Sequence, residues 1–189
     1  MVQMIKQEKS LAQYLHTDLE DAGICVDVDP RLGENDYAAI KVDDYYNGQH
    51  DKAPPMAVDF VVAVDCSCLA YALYILEFKN IHKSKNLSCS DIQEKFATTI
   101  YRFMSEEYKH IFLNDRFKYK DIKLYLVSDL YRLAGKYKSY TEYASLMDKM
   151  GKRDTLKVDR SLAGRIYRFR NKILRIEFEI PPNPIIKKI

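Results

Sequence analysis

Two runs near the middle of the chain, 58–64 and 72–80, are apolar at odd and even positions alike. That pattern belongs to strands covered on both faces. The positions around them alternate between helical and extended periods. Met4, Leu11, Leu15, Leu19 and Ala22 recur at helical spacing and predict an amphipathic helix over 2–22, ended by Gly23. Strands follow over 24–28 and 37–42, separated by the turn-rich Asp29-Pro30-Arg31-Leu32-Gly33, and 45–55 reads as a loop delivering the chain to the first central run. Beyond the second run a polar loop leads to Ser90, which with Gln93 forms a capping box opening a helix on Ile92, Phe96, Ile100, Phe103 and Tyr108.

The remainder continues the alternation. A strand is predicted over 122–127, then a helix with Tyr143, Leu146, Met147 and Met150 closing at Gly151. A hairpin follows, 165–170 and 173–180 about a turn at Asn171-Lys172, with Leu174, Ile176, Phe178 and Ile180 alternating against Arg175, Glu177 and Glu179. The order predicts an α/β fold with a central mixed sheet flanked by helices. At 189 residues the simplest organisation is one domain spanning 1–189, with a basic C-terminal hairpin at about 160–180.

The central runs carry charges that apolar strands do not ordinarily hold. Glu77 and Lys79 lie on one face with Leu73 and Ile75, because side chains alternate along a strand. If the runs form an antiparallel hairpin whose loop centres on Cys68, Asp59 stands directly opposite Glu77, with Cβ atoms roughly 5 Å apart. Two carboxylates at that spacing repel. A divalent cation between them removes the penalty, and the neighbouring Lys79 ammonium offsets it further. The competing reading is that Asp59 begins a strand while Glu77 and Lys79 sit at the solvated end of another.

An acid, a strand, then Glu77-Phe78-Lys79 at the end of the next strand resembles the active-site signature of the PD-(D/E)XK nuclease superfamily. The chain departs from that signature in one respect: in Pro55-Met56-Ala57-Val58-Asp59 the proline does not immediately precede the aspartate. The resemblance implies a restriction-endonuclease-like core and a metal-dependent endonuclease hydrolysing DNA, of restriction or repair type. It further implies Asp59 and Glu77 as ligands of Mg²⁺ or Mn²⁺, the Phe78 carbonyl as a further ligand, and Lys79 as catalytic base or electrostatic stabiliser. Many enzymes of this type act as homodimers, and because the chain is short for an enzyme that reads a long target, a partner subunit is the alternative source of specificity. A different class remains open, a noncatalytic nucleic-acid-binding or assembly domain with a nuclease-like fold.

Composition and charge refine this picture. With 47% hydrophobic and 30% charged residues, nothing indicates disorder. The N-terminus lacks a signal-peptide core, and the longest apolar run, 68–76, is far short of the ~20 residues of a membrane span. The expectation is an intracellular protein, cytoplasmic or nucleoid-associated, without membrane contact. The net charge of +3 hides a segregation: eleven acids against three bases over 17–60, and ten bases against two acids over 149–175. This suits a protein that holds cations in one place and phosphates in another, and equally suits two solvated surfaces.

The nucleic-acid contacts predicted from the basic segment are Arg165, Arg168, Arg170, Lys172 and Arg175, interleaved with Tyr167 and Phe169, with Lys83, Lys85 and Lys95 as additional phosphate contacts. Lys95 otherwise reads as an exposed helix residue. Glu20, at the end of the first predicted helix, is a candidate extra acid; Glu34, Asp36, Asp43, Asp44 and His50-Asp51 read equally well as solvated. Cys25, Cys66, Cys68 and Cys89 are expected to be free thiols, with a zinc site built from Cys66, Cys68, Cys89 and His82 as the alternative.

Overall fold

The computed structural model describes residues 1–49, 53–81 and 84–189. His50, Asp51, His82 and Lys83 therefore lie outside the described residues. The chain folds into an α/β arrangement around a mixed seven-stranded sheet. Its strands are β1 (Leu15–His16), β4 (Tyr37–Lys41), β5 (Phe60–Asp65), β6 (Ala70–Lys79), β7 (Lys118–Ser128), β8 (Ile166–Phe169) and β9 (Lys172–Glu179), while β2 (Glu20–Asp21) and β3 (Ile24–Cys25) form a separate hairpin. The order across the sheet is β1-β4-β5-β6-β7-β9-β8. Pairing is antiparallel except for β6 with β7 and β7 with β9.

Every described residue of β5 and β6 is buried except Asp65 and Lys79, which are half-buried, because layers cover both faces. On one face the helices α1 (Val2–Gln7), α2 (Val42–Asn47), α3 (Cys89–Ala97) and α4 (Lys109–Phe112) pack over a large aromatic and aliphatic core. The chain runs from α3 into a π-helix over Thr98–Glu107, whose Phe103 is fully buried among Tyr45, Tyr46, Tyr108 and Phe112. The other face is covered by Leu19, Ile24, Val26 and Ile186. There the C-terminal segment is tied down by Ile186 N–H donating to the Asp27 carbonyl and Asp29 N–H to the Ile186 carbonyl.

The N-terminal segment departs from the predicted helix over 2–22. Only α1 is helical at length; Ser10 N–H turns to the Glu8 carboxylate, and Leu15 and His16 pair with Ile40 and Ala39 instead. Local side-chain acceptors of this kind compete with helix continuation. Gly23 does not end a helix. With Ala22 it makes the two-residue turn of the β2–β3 hairpin, both residues at positive φ as a type I′ turn requires. Likewise 42–47 is helical where a loop from 45 and a strand through 42 were expected: Tyr45 and Tyr46 bury their rings against the π-helix, and Asp43 and Asp44 occupy the first turn, where carboxylates favour the helix dipole.

Later in the chain the differences are smaller. The cap of α3 is Ser88, whose hydroxyl accepts the Asp91 N–H, not Ser90; Gln93 reaches the Ser161 carbonyl. The C-terminal hairpin turns at Arg170-Asn171, one residue earlier than expected, since Phe169 pairs with Lys172. A helix not predicted from periodicity, α6 (Lys157–Ala163), follows α5 (Tyr140–Lys149). Among the described residues no helix is long and apolar enough to cross a membrane.

Asp159 of α6 is buried and accepts hydrogen bonds from the hydroxyls of Tyr140 and Tyr131. Burial pushes its pKa up to about 6, against the opposing effect of the two hydroxyls. Because the folded state keeps this proton longer than the unfolded chain, the Asp159 contribution is complete below about pH 4 and is lost as pH rises through 6. Relative to Asp159→Asn, the wild type is expected to lose about 2 to 3 kcal/mol between pH 4 and pH 7. Denaturant titrations of both proteins across that range check this; parallel pH profiles would refute it.

Candidate functional site

The ladder between β5 and β6 pairs Phe60 with Leu76, so the next step places Asp59 opposite Glu77. Three backbone and side-chain bonds fix Asp59 there. Val58 N–H donates to the hydroxyl of Thr99, the Asp59 carbonyl accepts Val42 N–H at the start of α2, and the Asp59 Oδ2 accepts the Phe78 N–H at 2.5 Å.

Glu77 has no solvent exposure, and Asp59 retains 3%. Lys79, two residues on from Glu77, places its Nζ 2.8 Å from Glu77 Oε1. Lys95, from α3, places a second Nζ 2.7 Å from the same oxygen and 3.9 Å from Asp59 Oδ1. Glu77 Oε2 is buried with no hydrogen-bond partner. Two acids and two lysines therefore cluster where β5 begins and β6 ends. Lys79 is the most open of the four, with about a third of its side chain exposed.

The electrostatics follow from burial. Desolvation, reinforced by the Glu77 carboxylate, pushes the Asp59 pKa up to about 8, although Lys95 and the Phe78 N–H act the other way. Burial works against the Lys95 ammonium too, but the Glu77 and Asp59 carboxylates outweigh it and hold Lys95 above the ordinary lysine value. Asp43, on the first turn of α2, is pushed up to about 6 by burial, with Asp44 and Asp21 adding and Lys41 opposing. Its Oδ1 lies 3.8 Å from Lys41, which donates to Asp21 at 2.8 Å. Asp43 also acts electrostatically on Asp59 and Lys95.

Comparison with protein-family models, with curated proteins and with solved structures finds no match to this chain. The site is therefore read from its own chemistry. Its acidic side chains, Asp59 and Glu77, offer oxygen donors, and a buried Glu77 oxygen lacks a partner. Such a set suits a hard divalent ion that keeps several waters. Among the described residues no group of three or more His, Cys, Asp or Glu side chains is placed to hold a metal, so the protein side chains on offer are the two acids. The four cysteines are free thiols; Cys66 and Cys68 lie at the β5–β6 tip, at the opposite end of β6 from Glu77.

Lys95 is not the exposed residue its sequence position suggested. It falls on the inward stripe of α3, three residues after Ile92 and four before the buried Thr99, and that spacing was a readable signal. Glu20 lies in β2, exposed, and Lys85 is exposed beside α3. The five basic residues of the C-terminal hairpin do not face the acids. Tyr167, Phe169, Leu174, Ile176 and Phe178 pack into the core beneath the helices, on the Glu77 side of the sheet. Alternation then directs Arg168 and Arg175 to the opposite face. Arg170 donates to the Asn114 and Phe117 carbonyls and stacks over Tyr119, and Lys172 donates to the Lys120 carbonyl. That turn is level with the start of β7, roughly 20 Å along the strands from Glu77. Arg165 is exposed just before β8.

Proposed function

We propose that this chain is a metal-dependent endonuclease of PD-(D/E)XK type, with a restriction-endonuclease-like core, that hydrolyses phosphodiester bonds in DNA. The observation that carries this reading is the buried, face-matched pair Asp59 and Glu77 with Lys79 bonded to the same face. Burying two opposed carboxylates costs desolvation and repulsion that a bound cation relieves. Asp59 and Glu77, with the Phe78 carbonyl, would hold Mg²⁺ or Mn²⁺, which supplies an activated water and neutralises charge developing on phosphate. Lys79, partly open to solvent, holds its ammonium where a phosphate oxygen or attacking water arrives, and Thr99 and Val42 keep Asp59 in register through its backbone neighbours.

A second reading is favoured by one observation: the two lysines already partner the acids, both on Glu77 and Lys95 also beside Asp59. A nucleic-acid-binding or assembly domain that cuts nothing would need no more. The exposed Arg165, Arg168 and Arg175 would then supply the phosphate contacts.

Purified protein incubated with supercoiled plasmid, linear DNA and RNA in Mg²⁺, Mn²⁺ or EDTA separates the two. The expected result is metal-dependent cutting of DNA that falls at least about a hundredfold in Lys79→Ala, the scale of a lost proton-transfer or charge-stabilising group. No cutting in any metal, or cutting unchanged in Lys79→Ala, overturns the nuclease reading. Retention of DNA without cleavage would favour the binding domain.

A further inference from the structure

Resting on the nuclease reading, we propose that the Lys95 ammonium is the resident cation of the acid pair and leaves that seat when a divalent ion binds, so that the site exchanges one cation for another. Of the two lysines, only Lys95 lies within ion-pair distance of both acids among the described contacts, 2.7 Å from Glu77 Oε1 and 3.9 Å from Asp59 Oδ1. Lys79 reaches Glu77 alone. The position between the two carboxylates, where charge repulsion is greatest, is thus occupied by a side chain delivered from a helix rather than from the strands.

The helix is anchored independently of that contact. Thr99, one turn further along, accepts the Val58 N–H, and Ile92 and Phe96 are buried beneath the same face. Lys95 is therefore held at its Cα while its four-carbon stem stays flexible. Both ammonium groups crowd onto Glu77 Oε1 while the buried Oε2 has no partner. One acceptor oxygen is saturated and the other is held unused. An ammonium and a divalent ion cannot share the seat, since like charges a few ångströms apart in buried surroundings repel strongly. The displaced ammonium stays within its stem length of the two acids, available to an incoming phosphate.

The test uses Mn²⁺ alone, without nucleic acid or turnover, followed by loss of the free aquo-ion signal in electron paramagnetic resonance. Wild type, Lys95→Met and Lys79→Met are compared, the last two carrying the same change in charge. Lys95→Met is expected to bind Mn²⁺ at least tenfold tighter than wild type, and Lys79→Met less than threefold tighter. Adding Asp59→Asn to Lys95→Met should abolish the binding. Lys95→Gln, which retains a hydrogen-bonding group for Glu77, should reproduce the gain if Lys95→Met folds poorly.

If wild type binds Mn²⁺ and neither Lys95 variant binds more tightly, this exchange is wrong while the nuclease reading stands. An equal gain in Lys79→Met also overturns it, because the effect is then net charge and not occupancy. If no protein in the series binds Mn²⁺, the metal-dependent reading fails together with the exchange.

Discussion

Glu77→Gln is expected to fold and to cut DNA about a thousandfold more slowly than wild type, the scale of losing several kcal/mol of metal-supplied charge stabilisation. The same substitution should lower the unfolding free energy by about 3 kcal/mol, because it leaves the largely buried Lys95 ammonium against a neutral amide. The two effects have separate origins and separate readouts: a cleavage time course at saturating Mg²⁺, and urea unfolding in EDTA. Retained cleavage would remove Glu77 from the chemistry. Unchanged stability would mean that the contacts of Lys95 and Lys79 with Glu77 contribute nothing net to the fold.

Phe103→Ala carries the largest expected loss of stability away from the site. The ring is fully buried, with centroids 4.8 Å from Tyr108, 5.4 Å from Tyr45 and 6.0 Å from Phe112. Truncation leaves a cavity in a rigid aromatic cluster that collapses poorly, and a loss of about 4 kcal/mol follows. For a chain of this length that corresponds to a fall of roughly 10 °C in Tm. Calorimetry or thermal circular dichroism measures it, and a fall under about 3 °C would show that the cluster repacks. Because Tyr45 and Tyr46 belong to α2, the same cavity loosens the helix that carries Asp43 toward Asp59.

The central hairpin was legible because two independent signals agreed. Apolar residues on both faces mark β5 and β6 as interior strands, and a hairpin centred on Cys68 gives the register that Phe60↔Leu76 matches. Where only one signal existed, the outcome was mixed. Leu11, Leu15 and Leu19 have helical spacing, yet that spacing also suits a chain that wraps irregularly over a sheet edge, and the Glu8 carboxylate and the pairing of Leu15 decide between them. Lys95 reads as exposed from sequence because a lysine on a helix ordinarily is; only the position of the acids in space reveals its partner. The basic hairpin was recognised as a hairpin, but the face its arginines take depends on β9 joining β7 in parallel, a long-range pairing that local periodicity does not encode.

The two rims of the sheet have a bearing on how this chain behaves at high concentration. An unpaired strand edge invites another chain to add to it, and proteins blunt such edges with short strands, charge and capped donors. At one rim β1 offers only two residues. At the other, the exposed Arg165 just before β8 and Arg168 within it bring charge to the border, and the Arg168 N–H goes to the Tyr101 hydroxyl. Strand-by-strand growth into fibres is therefore discouraged at both ends, which allows so hydrophobic a central hairpin to be carried without turning the molecule into a template for aggregation.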